Sequence, residues 1–194
     1  VPLRNPEFAP YIQRIKDAKP QAVFIFVPAG EQGIAFMKGY RERGLAEAGI
    51  KVIATGDLTD DHVLPAMGDS TLGVITTFHY SAAHDSPENK AFLKSFAAAN
   101  PGAGRPNFMA VGGYDGMRVI YEAAKVTKGG NGEALLNAMK GQLFESPRGP
   151  MFIDAQTRDV VHNIYIRKVE KVGGQLYNQE FSTIPDVKDP GKTK

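Results

Sequence analysis

The chain has 194 residues, of which 23 are Lys or Arg and 21 are Asp or Glu, so its formal net charge is +2. This balance lacks the basic excess of an electrostatic nucleic-acid binder, and no stretch approaches the roughly 18 consecutive apolar residues of a membrane span. There is no Cys, which excludes disulfides, thiolate metal ligands and a Cys nucleophile.

Val1, rather than Met, opens the chain and leads directly into a helical pattern. We therefore expect a processed product or a fragment, in which a missing leader is no evidence against secretion. Asn5 and Pro6 fit an N-cap and a first helical position, and the apolar residues that follow at helical spacing predict a helix to about Ala18.

The first 78 residues alternate between strand and helix patterns. The run 22–27 (AVFIFV) is continuously apolar, which is typical of a strand buried on both faces of a parallel sheet. The predicted elements after the first helix are a strand at 22–27, a helix from 31 toward Gly44, a strand at 50–55, a polar loop at 56–61, a short helix at 62–67 and a strand at 72–78. This order predicts an α/β fold with βαβ units and right-handed crossovers.

The middle of the chain has a helical pattern, and about 60 residues up to Phe144 contain no strand signal. The predicted helices span about 86–99, 107–125 and 133–140. The long helix carries Gly112, Gly113 and Gly116 on one stripe. Because each glycine inside a helix costs about 1 kcal/mol relative to Ala, the stripe predicts very close packing against another element.

The end of the chain has a β pattern. Residues 151–153 predict a short strand and residues 160–172 a long one. Gly173 and Gly174 are a two-residue hairpin signal, and the strand pattern returns over 176–181. Residues 184–194 contain two Pro and a Gly and predict an extended or frayed end.

Motifs for catalysis are missing from the sequence. It has no Gly-x-Ser-x-Gly elbow, no phosphate-binding Gly-Lys-Ser/Thr and no His-Glu-x-x-His. The segment 30–33 (GEQG) favours a tight strand-to-helix turn over an anion site. His79 and His84 match no zinc spacing, and His162 is expected on a strand surface. We therefore predict no catalytic residue, no metal and no cofactor.

Three aspartates, Asp57, Asp60 and Asp61, follow the second predicted strand. A pair of carboxylates can do acid–base work, but Asp60 or Asp61 as the cap of the short helix is the favoured interpretation. Asp57 comes too early in the chain to be that cap, so it stays a candidate for a functional role.

Ligands of an open parallel sheet bind beyond the carboxyl ends of its strands. Three such ends are visible here, at Pro28-Ala29-Gly30, at Gly56-Asp57-Leu58-Thr59 and at Phe78-His79-Tyr80-Ser81. They offer free amides, a carboxylate, hydroxyls and aromatic faces, but no nucleophile–base pair. This set favours holding a small organic molecule over transforming it.

Several short motifs recur in a specific order across nearly the whole chain. They are Phe8-Ala9-Pro10-Tyr11-Ile12, Gly39-Tyr40 with Gly44-Leu45, Met67-Gly68-Asp69, Gly113-Tyr114-Asp115-Gly116 and Pro147-Arg148-Gly149-Pro150. With the order of elements, they resemble the C-terminal half of a type I periplasmic solute-binding protein of ABC importers. The group they resemble is the branched-chain amino-acid/amide (Leu/Ile/Val-binding-like) family.

That resemblance implies two α/β lobes, joined by crossing strands, that close on a ligand. Residues 1–76 would form part of the C-terminal lobe, residues 77–147 a helical contribution to the N-terminal lobe, and residues 148–194 a return to the C-terminal lobe and the tail. The N-terminal half of the same protein would carry the other lobe's sheet. The helical middle is then expected to leave apolar helix faces exposed.

The resemblance further implies a non-enzymatic, periplasmic protein that hands a small solute to a membrane permease of an ABC importer and binds no nucleic acid. The implied ligand contacts are Pro28, Ala29, Gly30, Asp57, Leu58, Thr59, Phe78, His79 and Tyr80. Amino-acid binders of the group pair an acidic residue with the ligand ammonium, a role open to Asp57. The pattern also resembles members that bind aromatic or other carboxylic acids, whose ring would stack on Phe78, His79 and Tyr80.

Two alternatives to the importer component stay open from the sequence. One is a ligand-sensing domain of a receptor or regulator with the same fold. The other is an enzyme built on a doubly wound sheet, for which Asp57 would be the first residue to test.

Overall fold

The computed structural model describes residues 7–192. Its helices are α1 (Ala9–Ala18), α2 (Glu31–Glu42), α3 (Leu64–Met67), α4 (Pro87–Ala99), α5 (Phe108–Val126) and α6 (Gly132–Met139). Its strands are β1 (Ala22–Ile25), β2 (Lys51–Thr55), β3 (Ile75–Phe78), β4 (Leu143–Ser146), β5 (Gly149–Ile153), β6 (Val160–Val172) and β7 (Gln175–Val187). The helix start predicted at Asn5 and Pro6 lies outside the described residues.

All seven strands join one sheet. β1, β2 and β3 are parallel neighbours, and β3 pairs antiparallel with β6. β6 also pairs with β5 over its first residues and with β7 along most of its length, while β4 and β5 form a hairpin. The α/β architecture predicted for the first 78 residues is therefore confirmed, and the antiparallel strands of the tail extend it.

Two local predictions are confirmed. The helix predicted to begin at about residue 86 is α4, and Ser86 caps it, because its hydroxyl oxygen accepts a hydrogen bond from the backbone N–H of Asn89 at 3.1 Å. Gly173 and Gly174 join β6 to β7 with φ values of 56° and 82°. Positive φ at both positions is the geometry of a tight two-residue hairpin, and glycine adopts it without steric cost.

Buried apolar side chains form two clusters. The larger one packs α1 and α2 against the sheet and includes Ile12 and Phe36. The smaller one contains Tyr80, Phe92 and Val111, at the end of β3 and on α4 and α5. The smaller cluster lies wholly within residues 77–147, the segment predicted to serve the other lobe, and the division into lobes stays a prediction.

One face of the parallel sheet is open in the described part of the chain. Phe24 of β1 is 67% exposed and Ile53 of β2 is 40% exposed. The prediction that the 22–27 strand is buried on both faces is therefore wrong for residues 7–192. The continuous apolar run indicates a sheet face that is buried in such folds. No element among residues 7–192 packs against it.

Helix α5 is also open along one side. Its exposed apolar side chains include Met109, Met117 and Tyr121, which confirms the expected exposure of apolar helix faces. A Cβ added at Gly112 or Gly116 would meet no atom within 4 Å. The close packing predicted for the glycine stripe thus has no counterpart in residues 7–192, and a groove of about 780 Å³ lies along this helix instead.

Two further observations concern the tail. The strand β4 was not predicted, because its four residues are too few to show a clear alternation. β7 continues through Ile184 and Pro185 to Val187 and pairs there with β6, so this part of the segment predicted to be extended or frayed is extended. Within residues 7–192, no helix has the length and apolar character needed to cross a bilayer.

Candidate ligand-binding site

The three predicted loops lie at one edge of the sheet, because β1, β2 and β3 run parallel and each loop follows the carboxyl end of one strand. Contacts join the loops in pairs. A Cβ at Gly33, in the first turn of α2, would lie 2.7 Å from the carbonyl oxygen of Leu58. A Cβ at Gly56 would overlap the ring of Phe78, so glycine is required where the second loop passes the third.

The first loop presents mainly backbone. Pro28 is exposed, while Ala29 and Gly30 are partly buried. Gly30 has a φ of 105° and directly precedes α2, so the loop needs glycine for its conformation. Its free amides stand at the N-terminal end of a helix.

The second loop is a 3-10 turn, Gly56–Thr59, and its side chains point in different directions. Leu58 is fully buried in the larger cluster, and the Thr59 hydroxyl donates to Asn178 Oδ1 at 2.8 Å. Asp57 is half-buried, and among residues 7–192 its carboxylate has no hydrogen-bond partner. Of the side chains in this loop, Asp57 is the one free to meet a ligand.

The third loop combines accessible rings with a buried one. Phe78 and His79 are half-buried, with ring centroids 4.5 Å apart, and the ring of Phe108 meets Phe78 edge-on at 5.0 Å. Tyr80 is fully buried, and its hydroxyl donates to Asn89 Oδ1 at 3.2 Å. Burial raises the pKa of Tyr80, so its hydroxyl stays protonated and its ring serves the smaller cluster.

Arg167 of β6 ties the second and third loops together. Its side chain is 1% exposed, and its guanidinium donates to the carbonyl oxygens of Gly56 and Tyr80. The same group donates to Thr76 Oγ1 at 3.0 Å and lies 5.1 Å from the centroid of the Phe78 ring. A buried cation therefore fixes both the loop backbone and the ring at the edge of the sheet.

Asp60 and Asp61 are part of this buried network rather than helix caps. Asp60 accepts a hydrogen bond from the backbone N–H of His62, and α3 begins at Leu64 with no side-chain cap, so the predicted capping role is wrong. Asp61 lies 3.9 Å from Arg167, and burial raises its pKa to about 6. The physical reason is that the chain turns inward directly after Thr59, which brings both carboxylates into the protein.

Beside the third loop, His79 faces His162 of β6 with ring centroids 5.3 Å apart. Arg148, which follows β4, places Nη1 3.4 Å from His162 Nδ1 and donates through Nε to Asp115 Oδ2 at 2.9 Å. Burial and the nearby Arg148 charge lower the pKa of His79 to about 3 and that of His162 to about 4. Both imidazoles are therefore neutral at pH 7.

His162 is thus half-buried beside a candidate loop. The sequence pattern had predicted a position on a strand surface. His84 is separate from this pair, because its Nδ1 lies 2.8 Å from Glu180 Oε2. In the part of the chain that the structure describes, no three metal-ligating side chains come together. Sequence reasoning missed Phe108, Arg148, His162 and Arg167, and of these only Arg148 belonged to a recognised motif.

The family model described as "Periplasmic binding protein" matches residues 1–175. Among curated proteins, "Leu/Ile/Val-binding protein homolog 6" of Brucella melitensis biotype 1 is 45% identical over 193 residues, which are 98% of this chain and 50% of the relative. The chain therefore spans about half the length of the curated relatives that it matches.

Solved structures that match the whole of this chain include two of which it covers 53%. One is a solute-binding protein of an ABC transporter from Rhodopseudomonas palustris BisB5 in complex with 3,4-dihydroxybenzoic acid, with 59% identity and a TM-score of 0.94. The other is a solute-binding protein of an ABC transporter from Rhodopseudomonas palustris HaA2 in complex with p-hydroxybenzoic acid, with 39% identity and a TM-score of 0.93.

Proposed function

Because the chain belongs to the periplasmic binding protein family, we propose that the complete protein is a periplasmic component of an ABC importer that captures an aromatic carboxylic acid and delivers it to a membrane permease. The family and the relatives described above are binding proteins of transporters and not enzymes. The three loops contain no nucleophile–base pair that would support a catalytic role.

The main support for an aromatic acid as the ligand is the similarity to the dihydroxybenzoate complex, at 59% identity over the whole of this chain. The chemistry of the third loop agrees with it. Phe78, His79 and Phe108 form a small cluster of partly accessible rings, and a ligand ring can extend that cluster by stacking or edge contacts. Arg167 holds Phe78 in place from behind.

The ligand cleft lies between two lobes in this proposal. Residues 1–76 and 148–194 belong to the C-terminal lobe, and residues 77–147 complete the N-terminal lobe, whose sheet comes from the other half of the protein. The open apolar side of α5, with its glycine stripe, supports the proposal that a surface of that half packs against this helix. The contacts predicted at Pro28, Ala29 and Gly30 would then be made through the backbone of the first loop.

An amino acid is the second candidate ligand, because the Asp57 carboxylate has no hydrogen-bond partner among residues 7–192. An α-ammonium group would donate a charge-assisted hydrogen bond to this carboxylate. An aromatic acid has no ammonium group. For that ligand, the negative charge of Asp57 would either leave the affinity unchanged or lower it.

Isothermal titration of the complete protein separates the two ligands. We expect 4-hydroxybenzoate or 3,4-dihydroxybenzoate to bind with a micromolar or lower Kd and leucine to give no heat. Asp57→Asn is then expected to leave the affinity for the aromatic acid unchanged or improved. Asp85→Asn is the matched control, because Asp85 is exposed and its carboxylate is paired with Lys90. If leucine binds and Asp57→Asn abolishes that binding, the ligand is an amino acid and not an aromatic acid.

A further inference from the structure

We propose that the paired imidazoles of His79 and His162, flanked by Arg148, recognise the carboxylate of the aromatic ligand, and that binding brings one proton from solvent onto the pair. This inference rests on the proposed function and extends it to residues that lie outside the three predicted loops, namely Arg148 and His162. Its basis is the geometry around His79.

The two imidazoles stand side by side where the end of β3 meets the start of β6. Their centroids are 5.3 Å apart and their planes are 33° from parallel. The ring of His79 also contacts Phe78 at 4.5 Å. A ligand whose ring extends the Phe78 cluster would therefore carry its substituents next to both imidazoles, where N–H donors can reach a carboxylate oxygen.

Carboxylates already compensate the arginines around this pair. Two arginines, Arg148 and Arg167, face it, and each lies within 4 Å of one buried aspartate, Asp115 and Asp61. Asp57, Asp60 and Glu180 add further negative charge around Arg167. Phe108, from the start of α5, contributes no charge. A carboxylate that enters this site adds one uncompensated negative charge at low dielectric, which is costly unless a cation forms beside it.

The imidazoles are the groups able to supply that cation. With no anion present, burial and the Arg148 charge keep the pKa of both rings well below 6.5, at about 3 for His79, which Arg167 also affects, and about 4 for His162. A carboxylate within hydrogen-bond distance favours the protonated ring and raises its pKa. One proton is then taken up on binding, and affinity falls as the pH rises, by up to tenfold per pH unit for a full proton.

A matched pair of ligands and a matched set of variants test this in the complete protein. The probes are 4-hydroxybenzoate and its neutral analogue 4-hydroxybenzamide. The variants are His79→Asn and His162→Asn, and His62→Asn is the control because His62 is exposed and distant from the pair in the chain. Titrations at pH 6 in buffers of different ionisation enthalpy count the protons exchanged on binding. Thermal unfolding verifies that each variant is folded.

We expect the wild type and His62→Asn to take up a sizeable fraction of a proton with 4-hydroxybenzoate and none with 4-hydroxybenzamide. We expect His162→Asn to lose most of that uptake and about tenfold in affinity for the acid, with little change for the amide. Tight binding of the acid without proton uptake, or folded His variants that bind acid and amide as the wild type does, would overturn this inference alone. Failure of every aromatic acid to bind would overturn the proposed function and this inference with it.

Discussion

Replacement of Arg167 by Met removes the cation that ties two candidate loops together while keeping much of its apolar volume. Arg167 is 1% exposed, and its loss leaves Asp61 buried without its nearest cation. Removal of one partner from a buried ion pair costs about 3–5 kcal/mol. We expect a loss of that size in the free energy of unfolding of the complete protein, measured with chemical denaturant at pH 8.

The same substitution is expected to weaken ligand binding, because Gly56, Tyr80 and the ring of Phe78 lose their common anchor. A matched double variant, Arg167→Met with Asp61→Asn, removes the uncompensated charge and should recover at least about 1 kcal/mol of stability. It should not recover affinity, since the loops remain unanchored. An Arg167→Met protein that loses less than about 1 kcal/mol and binds the aromatic acid normally would refute the role given to this residue.

Two further predictions concern pH and the glycine stripe. The pKa values of His79 and His162, about 3 and about 4, lie below the 6.5 of an unperturbed His. Their contribution to stability is therefore complete above pH 6.5 and is lost as the pH falls toward 4. Denaturant titrations at pH 7 and 4.5 should show that the ligand-free double variant His79→Asn with His162→Asn loses less stability on acidification than the wild type; an equal loss would contradict the burial of these rings. We expect Gly112→Ala to destabilise the complete protein by about 1–3 kcal/mol, because in the proposed arrangement α5 packs closely on the other half; a gain of about 1 kcal/mol would contradict that packing.

The elements that sequence patterns predicted well are those with local causes. Ser86 with Pro87 marks the start of α4, and the Gly173-Gly174 pair marks the β6–β7 hairpin, because caps and tight turns depend on a few consecutive residues. The burial predicted for the apolar run at 22–27 had no such local cause. Its apolar side chains are real, but what covers them is not in the described chain, so Phe24 is exposed.

The candidate site was only partly predictable for a physical reason. Loops at the carboxyl ends of parallel strands can be located from strand order alone, which identified Asp57, Phe78 and His79. The residues that support them arrive from far along the chain. His162 meets His79, and Arg167 meets Tyr80, through the antiparallel pairing of β6 with β3, which no local pattern reveals.

Residues close together in the sequence also differ in burial, and the sequence alone does not show this difference. Asp57 and Asp61 are four residues apart and equally polar, but one stays accessible and the other is 2% exposed against Arg167. Leu58, Thr59 and Tyr80 are likewise turned inward, so any contact they make with a ligand would be through the backbone.

A crystal structure of the complete protein with bound 4-hydroxybenzoate would show directly which residues hold the ligand. We expect the ligand between two lobes, with its ring against Phe78 and His79 and its carboxylate beside His162. A ligand held elsewhere, or residues 77–147 folded onto the same lobe as residues 1–76, would contradict it.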